Sequence, residues 1–401
     1  MYKNDATFYR PLPSPCFRSP ISESRDTAVL APHKIFDYIG STLHFARPHD
    51  SLTARILPKR TYMLEQTVPD SNQDSWREMI TRYQKSDLLR SIWQIINSFG
   101  PYLILLYAMY RSLEGSYWIT LAIAILAAGF QVRTFIIFHD CGHGSFFKSQ
   151  RANNLVGILS GLFTLTPYYE WRHNHAIHHA TGSDLDNRGV GDVWMLTVKE
   201  YLERPLWKRF VYRFYRNPLV MFGIGPLFMF FVSHRFTSSS SGPREKRNVY
   251  WTNAALAIII MAISYSIGFT SFILVFLPTI WIAGIFGLWL FYVQHQYQGV
   301  YWARHAEWDF FASALKGSSF YKLPKILQWF SGNIGFHHIH HLSPRVPNYS
   351  LSKCQKEIPL FWEVKPLTLF SSFHSLALRL WDEDEQMLVG FGKVKGLPRS
   401  L

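Results

Sequence analysis

Nitrogen ligands dominate the chemistry open to this sequence. Eleven of its 17 histidines fall in four short strings: HDCGH (His139, His143), HNHAIHH (His173, His175, His178, His179), VQHQ (His295) and HHIHH (His337, His338, His340, His341). Imidazole is the commonest protein ligand for redox-active metals. In each HxxHH string, about 3.6 residues per turn puts the first, fourth and fifth positions on one helical face. His175, His178 and His179 form one such face, and His337, His340 and His341 form another. His139 and His143 add an i, i+4 pair, and His295 completes a set of nine. Nine nitrogens are too many for one zinc-like ion, which takes about four. The set therefore fits two metal ions, and imidazole favours iron, copper, nickel or zinc over magnesium or calcium. Redox chemistry in a membrane setting makes iron the expected metal. No catalytic group beyond the ligands is singled out, and no substrate-binding residue is assigned.

Other residues are expected to stand behind the ligands. His173 points roughly opposite to His175 on an ideal helix, and His338 lies about 100° off the His337–His341 face. Metal-bound imidazole usually donates its other N–H to a carboxylate or carbonyl, which makes Asp140, Asp184 and Asp186 orienting candidates. A turn or N-cap role is the alternative for each. Asn333, one turn before His337, is placed to reach the metal through water or to pack against its own helix.

The elements that must carry these strings are membrane helices. Hydrophobic residues make up 48% of the chain and aromatic residues 17%. The runs 117–138 and 270–293 each reach the roughly 20 residues that cross a bilayer. Apolar segments are expected at about 92–111, 115–138, 153–170, 217–233, 250–269 and 270–293. All histidine strings must meet on one side of the membrane, so not every segment can cross. Segment 153–170 carries Pro167 and reads as re-entrant or interfacial. The basic loop after 217–233, with Arg235, Arg244, Lys246 and Arg247, belongs in the cytoplasm by the positive-inside rule, and segment 217–233 itself carries Pro218 and Pro226. The expectation is an all-α polytopic membrane protein with four transmembrane helices in two hairpins, 92–138 and 250–293. Re-entrant or interfacial helices and a cytoplasmic cap accompany them, with both termini and every histidine cluster cytoplasmic. His295 is expected two residues beyond its helix.

Residues 1–62 hold nine basic and five acidic residues and no long apolar run. They are expected to form a poorly ordered extension, with the ordinary chain starting near Met63. Residues 63–91 include a polar helix at 75–90 lying on the membrane surface. The core spans 92–342, and 343–401 form the cap. The net charge of +14 (41 basic, 27 acidic) comes with no nucleic-acid module; anionic lipid headgroups, or an acidic electron carrier, account for it. Three cysteines without a CxxC pair give neither a disulfide framework nor an iron–sulfur site.

The strings HDCGHGSFF, HHATGSDLDNRGVGDVW, WLFYVQHQ, KGSSFYKLPKILQW and GNIGFHHIHHLSPRVPNY resemble the membrane fatty acid desaturases. The likeness is to their bacterial acyl-lipid branch, near the Bacillus Δ5 and the ω-6 (Δ12) enzymes, and covers about residues 86–390. It implies a non-haem di-iron site that uses O2 to place a cis double bond in an acyl chain of a membrane lipid. It also implies ligand roles for His139, His143, His175, His178, His179, His295, His337, His340 and His341. No HPGG-type cytochrome b5 signature is fused, so electrons would come from a separate ferredoxin- or flavodoxin-type donor. The acyl-CoA branch has HxxxxH where this chain has HxxxH, and an extra Asn ligand where this chain has Phe291; both differences favour a lipid substrate. A hydroxylase or ketolase on the same scaffold is the near alternative. A metal transporter is the distant one, since its crossings would need acidic or histidine residues lining a path.

Overall fold

The computed structural model describes residues 70–394, so the expected extension at 1–62 lies outside the described residues. Four helices are long and apolar enough to cross a membrane: α2 (Leu88–Ser112), α3 (Tyr117–His143), α7 (Pro243–Ile267) and α8 (Phe269–His295). Preceding and intervening helices include α1 (Asp70–Thr81), α4 (Gln150–Phe163), α5 (Tyr168–Thr181) and α6 (Leu206–Tyr215). Among the short helices that follow are α9 (His337–Leu342) and α10 (Asn348–Glu357).

Length explains why the histidines of α3 and α8 sit at the helix ends. Each of these helices has 27 residues. At about 1.5 Å per residue each spans about 40 Å, against a hydrocarbon core of about 30 Å. The surplus of about 10 Å leaves room for His139, His143 and His295, all in the last five residues of their helices, beyond an apolar span. His295 is the last residue of α8 rather than two residues past it, because the helix continues through Gln294. Gly144, at φ 69°, ends α3 directly after His143; its backbone N–H returns to the carbonyls of Asp140 and Cys141. Glycine takes this left-handed conformation without steric cost.

Of the four, α3 is the most enclosed by protein and α7 the least, at 61% and 11% of their apolar windows. The reason is visible in the sequence of α3. Ala124 and Ala127 pack with Tyr102, Leu106 and Met109 of α2 and Val275 of α8. Ala128 and Val132 meet Ala283 of α8. Small side chains let helix backbones approach closely where lipid supplies no hydrophobic drive.

Segment 153–170 is not one element. The helix α4 has 14 residues, about 21 Å at 1.5 Å per residue, which is too short to cross. Thr164–Pro167 then turn, with Leu165 at φ 52°, before α5 begins at Tyr168. Tyr168 fixes that junction: its hydroxyl donates to the Cys141 carbonyl at 2.7 Å, so α5 starts against the end of α3. The stretch around 217–233 is broken, with Leu206–Tyr215 and Leu219–Arg235 bent by 59°.

The polar helix near the start differs from the expectation in place and in packing. It spans Asp70–Thr81, and Asp87 caps a new helix by accepting from the Arg90 N–H at 3.1 Å. Its apolar residues Trp76 and Ile80 pack with Ile339 of α9 and Leu351 of α10, not on lipid. An amphipathic pattern does not tell lipid from a protein partner, which is why the sequence misplaced it.

The C-terminal segment is woven into the rest. Strand β1 (Leu196–Thr197) pairs in parallel with β4 (Leu380–Asp382), which pairs antiparallel with β5 (Met387–Val389). Strand β2 (Phe320–Lys322) pairs in parallel with β3 (Pro366–Thr368), with Tyr321 opposite Leu367. Buried Arg216, after α6, donates to Gln296 Oε1 and to the Leu378 carbonyl, both at 3.0 Å. That joins the end of α8 to the tail.

Candidate metal centre

The nine histidines singled out by spacing meet in two adjoining groups. His139, His143, His175, His179 and His340 form one; His178, His295, His337 and His341 form the other. Within each group the ligand-capable atoms all lie within 4.8 Å of one another. Each HxxHH string is divided between the two groups. His175 and His179 of α5 enter the first group and His178 the second, whereas α9 gives His340 to the first and His337 and His341 to the second. A one-face pattern about five residues long is wide enough to straddle two neighbouring sites. The groups touch through His179 and His341, whose rings stack at 4.2 Å.

The Nε2 atoms converge. They are 3.2 Å apart for His175 and His179, and 3.1 Å for His179 and His340. In the second group the separations are 3.2 Å for His178 and His295, 3.0 Å for His295 and His337, and 3.1 Å for His337 and His341. Two nitrogens bound at about 2.1 Å to one ion, at tetrahedral or octahedral angles, stand about 3.0–3.4 Å apart. The spacing thus suits a shared cation.

Proton placement points the same way. His178 Nδ1 faces the Asp192 carboxylate at 2.7 Å, and His295 Nδ1 faces the Gly317 carbonyl at 3.2 Å. A neutral imidazole carries one ring proton, which these acceptors place on Nδ1. Both Nε2 atoms are then lone pairs facing each other at 3.2 Å, an arrangement a cation between them relieves. In the first group His143 Nε2 is buried with no hydrogen-bond partner. Burial, with neighbouring imidazoles adding to it, holds His175, His179, His340 and His341 well below the ordinary histidine range, so they are neutral donors. The residues present fit a pair of imidazole-bound metal ions.

A profile of the family "Fatty acid desaturase" matches residues 116–372. The chain is 45% identical to a fatty acid desaturase of Bacillus subtilis over 339 residues, 84% of this chain and 96% of that protein. This chain belongs to the fatty acid desaturase family. It is also 29% identical to an sn-1 acyl-lipid omega-3 desaturase (ferredoxin) of Synechocystis sp., over 56% of this chain and 63% of the relative. An sn-1 oleoyl-lipid 12-desaturase of the same organism is 27% identical over 57% of this chain and 65% of its own. The protein is an oxidoreductase with histidine clusters suited to metal binding and helices apolar enough to cross a membrane.

Around the histidines of this desaturase, the orienting groups are only partly those expected. Asp140 does face His139: Oδ1 is 3.2 Å from Nδ1, while Oδ2 accepts from the backbone N–H and side-chain amide of Asn348 at 2.7 and 2.8 Å. Gln94 of α2 donates to the Asn348 carbonyl oxygen Oδ1 at 3.0 Å, completing a buried chain of polar groups. Asp184 and Asp186 do not face the boxes. Asp184 accepts from Asn187 and is paired with His305 at 2.7 Å, and Asp186 bonds Arg304 at 2.7 Å. Both hold a turn and its neighbouring loop, the alternative their Asp-rich context allowed. Asn333, at φ 59°, donates to the Asn348 carbonyl and accepts from Gln328, so it reaches no histidine. His338 turns away to Gln355 Oε1 at 2.9 Å, between the rings of Phe320 and Phe361. His173 joins neither group, and its Nε2 is buried without a partner.

Sequence reasoning missed Asp192, Asn348 and Trp171, and singled out Phe291 only as the residue that stands where the acyl-CoA branch has its extra Asn. Trp171 stacks on His175 at 4.3 Å, and a Cβ on Gly142 would come within 2.9 Å of its ring, so α3 and α5 need a glycine there. Phe291 lies 5.4 Å from the His178 ring and 5.3 Å from His295. The four-histidine group is therefore the one with an aromatic neighbour in place of a fifth imidazole. Trp171 and Phe291 each precede a ligand by one helical turn, a signal present in the sequence.

Proposed function

We propose that this protein is an O2-dependent di-iron desaturase that places a cis double bond in acyl chains of membrane lipids. The observation that carries the reading is the convergence of nine imidazoles, three from the ends of the membrane-long helices α3 and α8 and six from the short helices α5 and α9. Its electrons come from a separate ferredoxin- or flavodoxin-type donor. Relatives named as acyl-lipid, ferredoxin-dependent desaturases support both the substrate class and the donor. In balance, two hydrogens leave adjacent methylenes, and O2 with two donor electrons and two protons becomes two waters. The metal pair, when bound, supplies the activation of O2 that no side chain here can provide.

In this reading, His139, His143, His175, His179 and His340 hold one iron, and His178, His295, His337 and His341 the other. Asp140, Asp192 and the Gly317 carbonyl keep the proton of their histidines on Nδ1, so that Nε2 stays free to bind. Trp171 and Phe291 cover the imidazoles with apolar surface and exclude water, which keeps an oxidant from side reactions. The ends of α3 and α8 set the site just outside the hydrocarbon, within reach of a lipid chain. The histidine clusters face the cytoplasm, a reading supported by the basic residues Arg235, just before α7, and Arg244, Lys246 and Arg247 in its first turns.

The test is turnover by purified, iron-loaded protein with phospholipid, O2 and reduced ferredoxin. The expected product is two hydrogens lighter than the substrate chain. A product heavier by one oxygen would make the protein a hydroxylase instead.

A further inference from the structure

We propose that a groove between α4 and the start of α7 binds a phosphate-bearing glycerolipid, its phosphate held by Arg244 and Arg247. One acyl chain lies along the apolar wall beneath them. The inference concerns binding and stands whichever lipid is oxidised, so it goes beyond the reaction proposed above.

The groove has a volume of about 420 Å³, within the ~300–1,000 Å³ of small-molecule sites. Its polarity is graded as an amphiphile requires. Arg244 and Arg247 sit in the first turns of α7, a membrane-crossing helix, at headgroup level. Ile158 and Leu162 of α4 face Trp251 and Ala255 of α7 below them. The surroundings place this wall in lipid: Leu155 and Leu159 of α4 and Tyr250 and Trp251 of α7 are exposed. Exposed large apolar groups on a membrane protein belong against hydrocarbon, with Trp and Tyr at its boundary.

The cationic end is built and unspent. The Arg244 guanidinium lies 3.8 Å from the Tyr169 ring centroid, which fixes its direction. Asn248 Oδ1 accepts from the Tyr169 N–H at 2.8 Å, locking the start of α5 to α7. Neither Arg244 nor Arg247 is in an ion pair among the described residues; the one acidic neighbour on this turn, Glu245, stands against Arg244, Lys246 and Arg247. Two guanidiniums beside one apolar slot match a phosphate diester, which accepts bidentate hydrogen bonds. Tyr169 also lies on the helix that carries His175, six residues on and about 9 Å along its axis. A lipid seated here therefore borders the element that holds the metal cluster.

The test is binding of spin-labelled phosphatidylglycerol to the full chain in neutral-lipid nanodiscs, read by electron paramagnetic resonance. A phosphate-free diglucosyl diacylglycerol with the same chains serves as competitor. Phosphatidylglycerol should be immobilised and displaced poorly by the glycolipid. The Arg244→Gln/Arg247→Gln double variant should bind about tenfold more weakly or worse. Ala255→Phe, which fills the apolar end and leaves both guanidiniums, should weaken binding as well. Lys246→Gln, on the same turn but outside the groove, should leave it within about twofold. If Lys246→Gln weakens binding as much as the double variant, the attraction is diffuse charge and the site is overturned. Equal displacement by the glycolipid overturns phosphate recognition. The glycolipid competition and Ala255→Phe keep the proposal testable should the arginine variant fail to fold.

Discussion

His178 Nδ1 and Asp192 Oδ1 lie 2.7 Å apart across 14 residues of chain, most of them a loop that folds back over α5. Gly191 makes the return possible: it takes φ 72°, and a Cβ there would stand 3.1 Å from that of His178. One carboxylate thus sets the tautomer of a histidine that the second group depends on. Removing such a partner typically costs tenfold to a hundredfold in metal affinity or activity.

Asp192→Ala should therefore lower iron at the second group and cut turnover by about 10–100-fold, with the first group still loaded. Iron per chain by plasma emission spectroscopy, together with product formation, checks this. Full iron and full turnover would remove Asp192 from the site.

Single ligand losses should separate the two groups. His340→Ala takes a ligand from the five-histidine group and His178→Ala from the four-histidine group. Each should abolish turnover, and each should lower iron towards one ion per chain, with the protein still inserted in the membrane. Turnover retained in both would sink the ligand assignment.

His173→Ala and His338→Ala should keep iron bound. His338 hydrogen-bonds Gln355 in a buried setting, so its removal should lower the thermal midpoint by the equivalent of about 1–3 kcal/mol for an orphaned buried acceptor. Iron loss equal to that of His340→Ala would instead place either residue on the metal.

Tyr168→Phe should cost about 1 kcal/mol, because the Cys141 carbonyl loses its 2.7 Å donor in a buried place. Thermal unfolding in detergent with iron content unchanged is the expected result. Iron loss without a change in midpoint would show that the α3–α5 joint sets ligand geometry more than stability.

The legible parts of this molecule are those written in a short period. Apolar runs of about 20 residues announce α2, α3, α7 and α8, because the bilayer fixes the length. Histidines three and four residues apart announce a shared face, and the fold gathers all nine. Periodicity does not say which neighbour a face meets. That is why the two HxxHH strings split between groups, and why Trp76 and Ile80 lie against α9 and α10 instead of lipid. Contacts between elements distant in the chain leave no period at all. Asp192 reaches His178 from a glycine-bounded loop, and Asn348 reaches Asp140 across 208 residues, whereas Asp184 and Asp186, nearer in sequence to the boxes, serve their own turn.

The most direct measurement is gas chromatography–mass spectrometry of total fatty acids from bacteria expressing the full chain, beside cells expressing His178→Ala. A new cis-unsaturated fatty acid in the wild type and none in the variant is the predicted result. Identical fatty acid profiles, from cells holding folded, iron-loaded wild-type protein and a reducing ferredoxin, would contradict lipid desaturation as its activity.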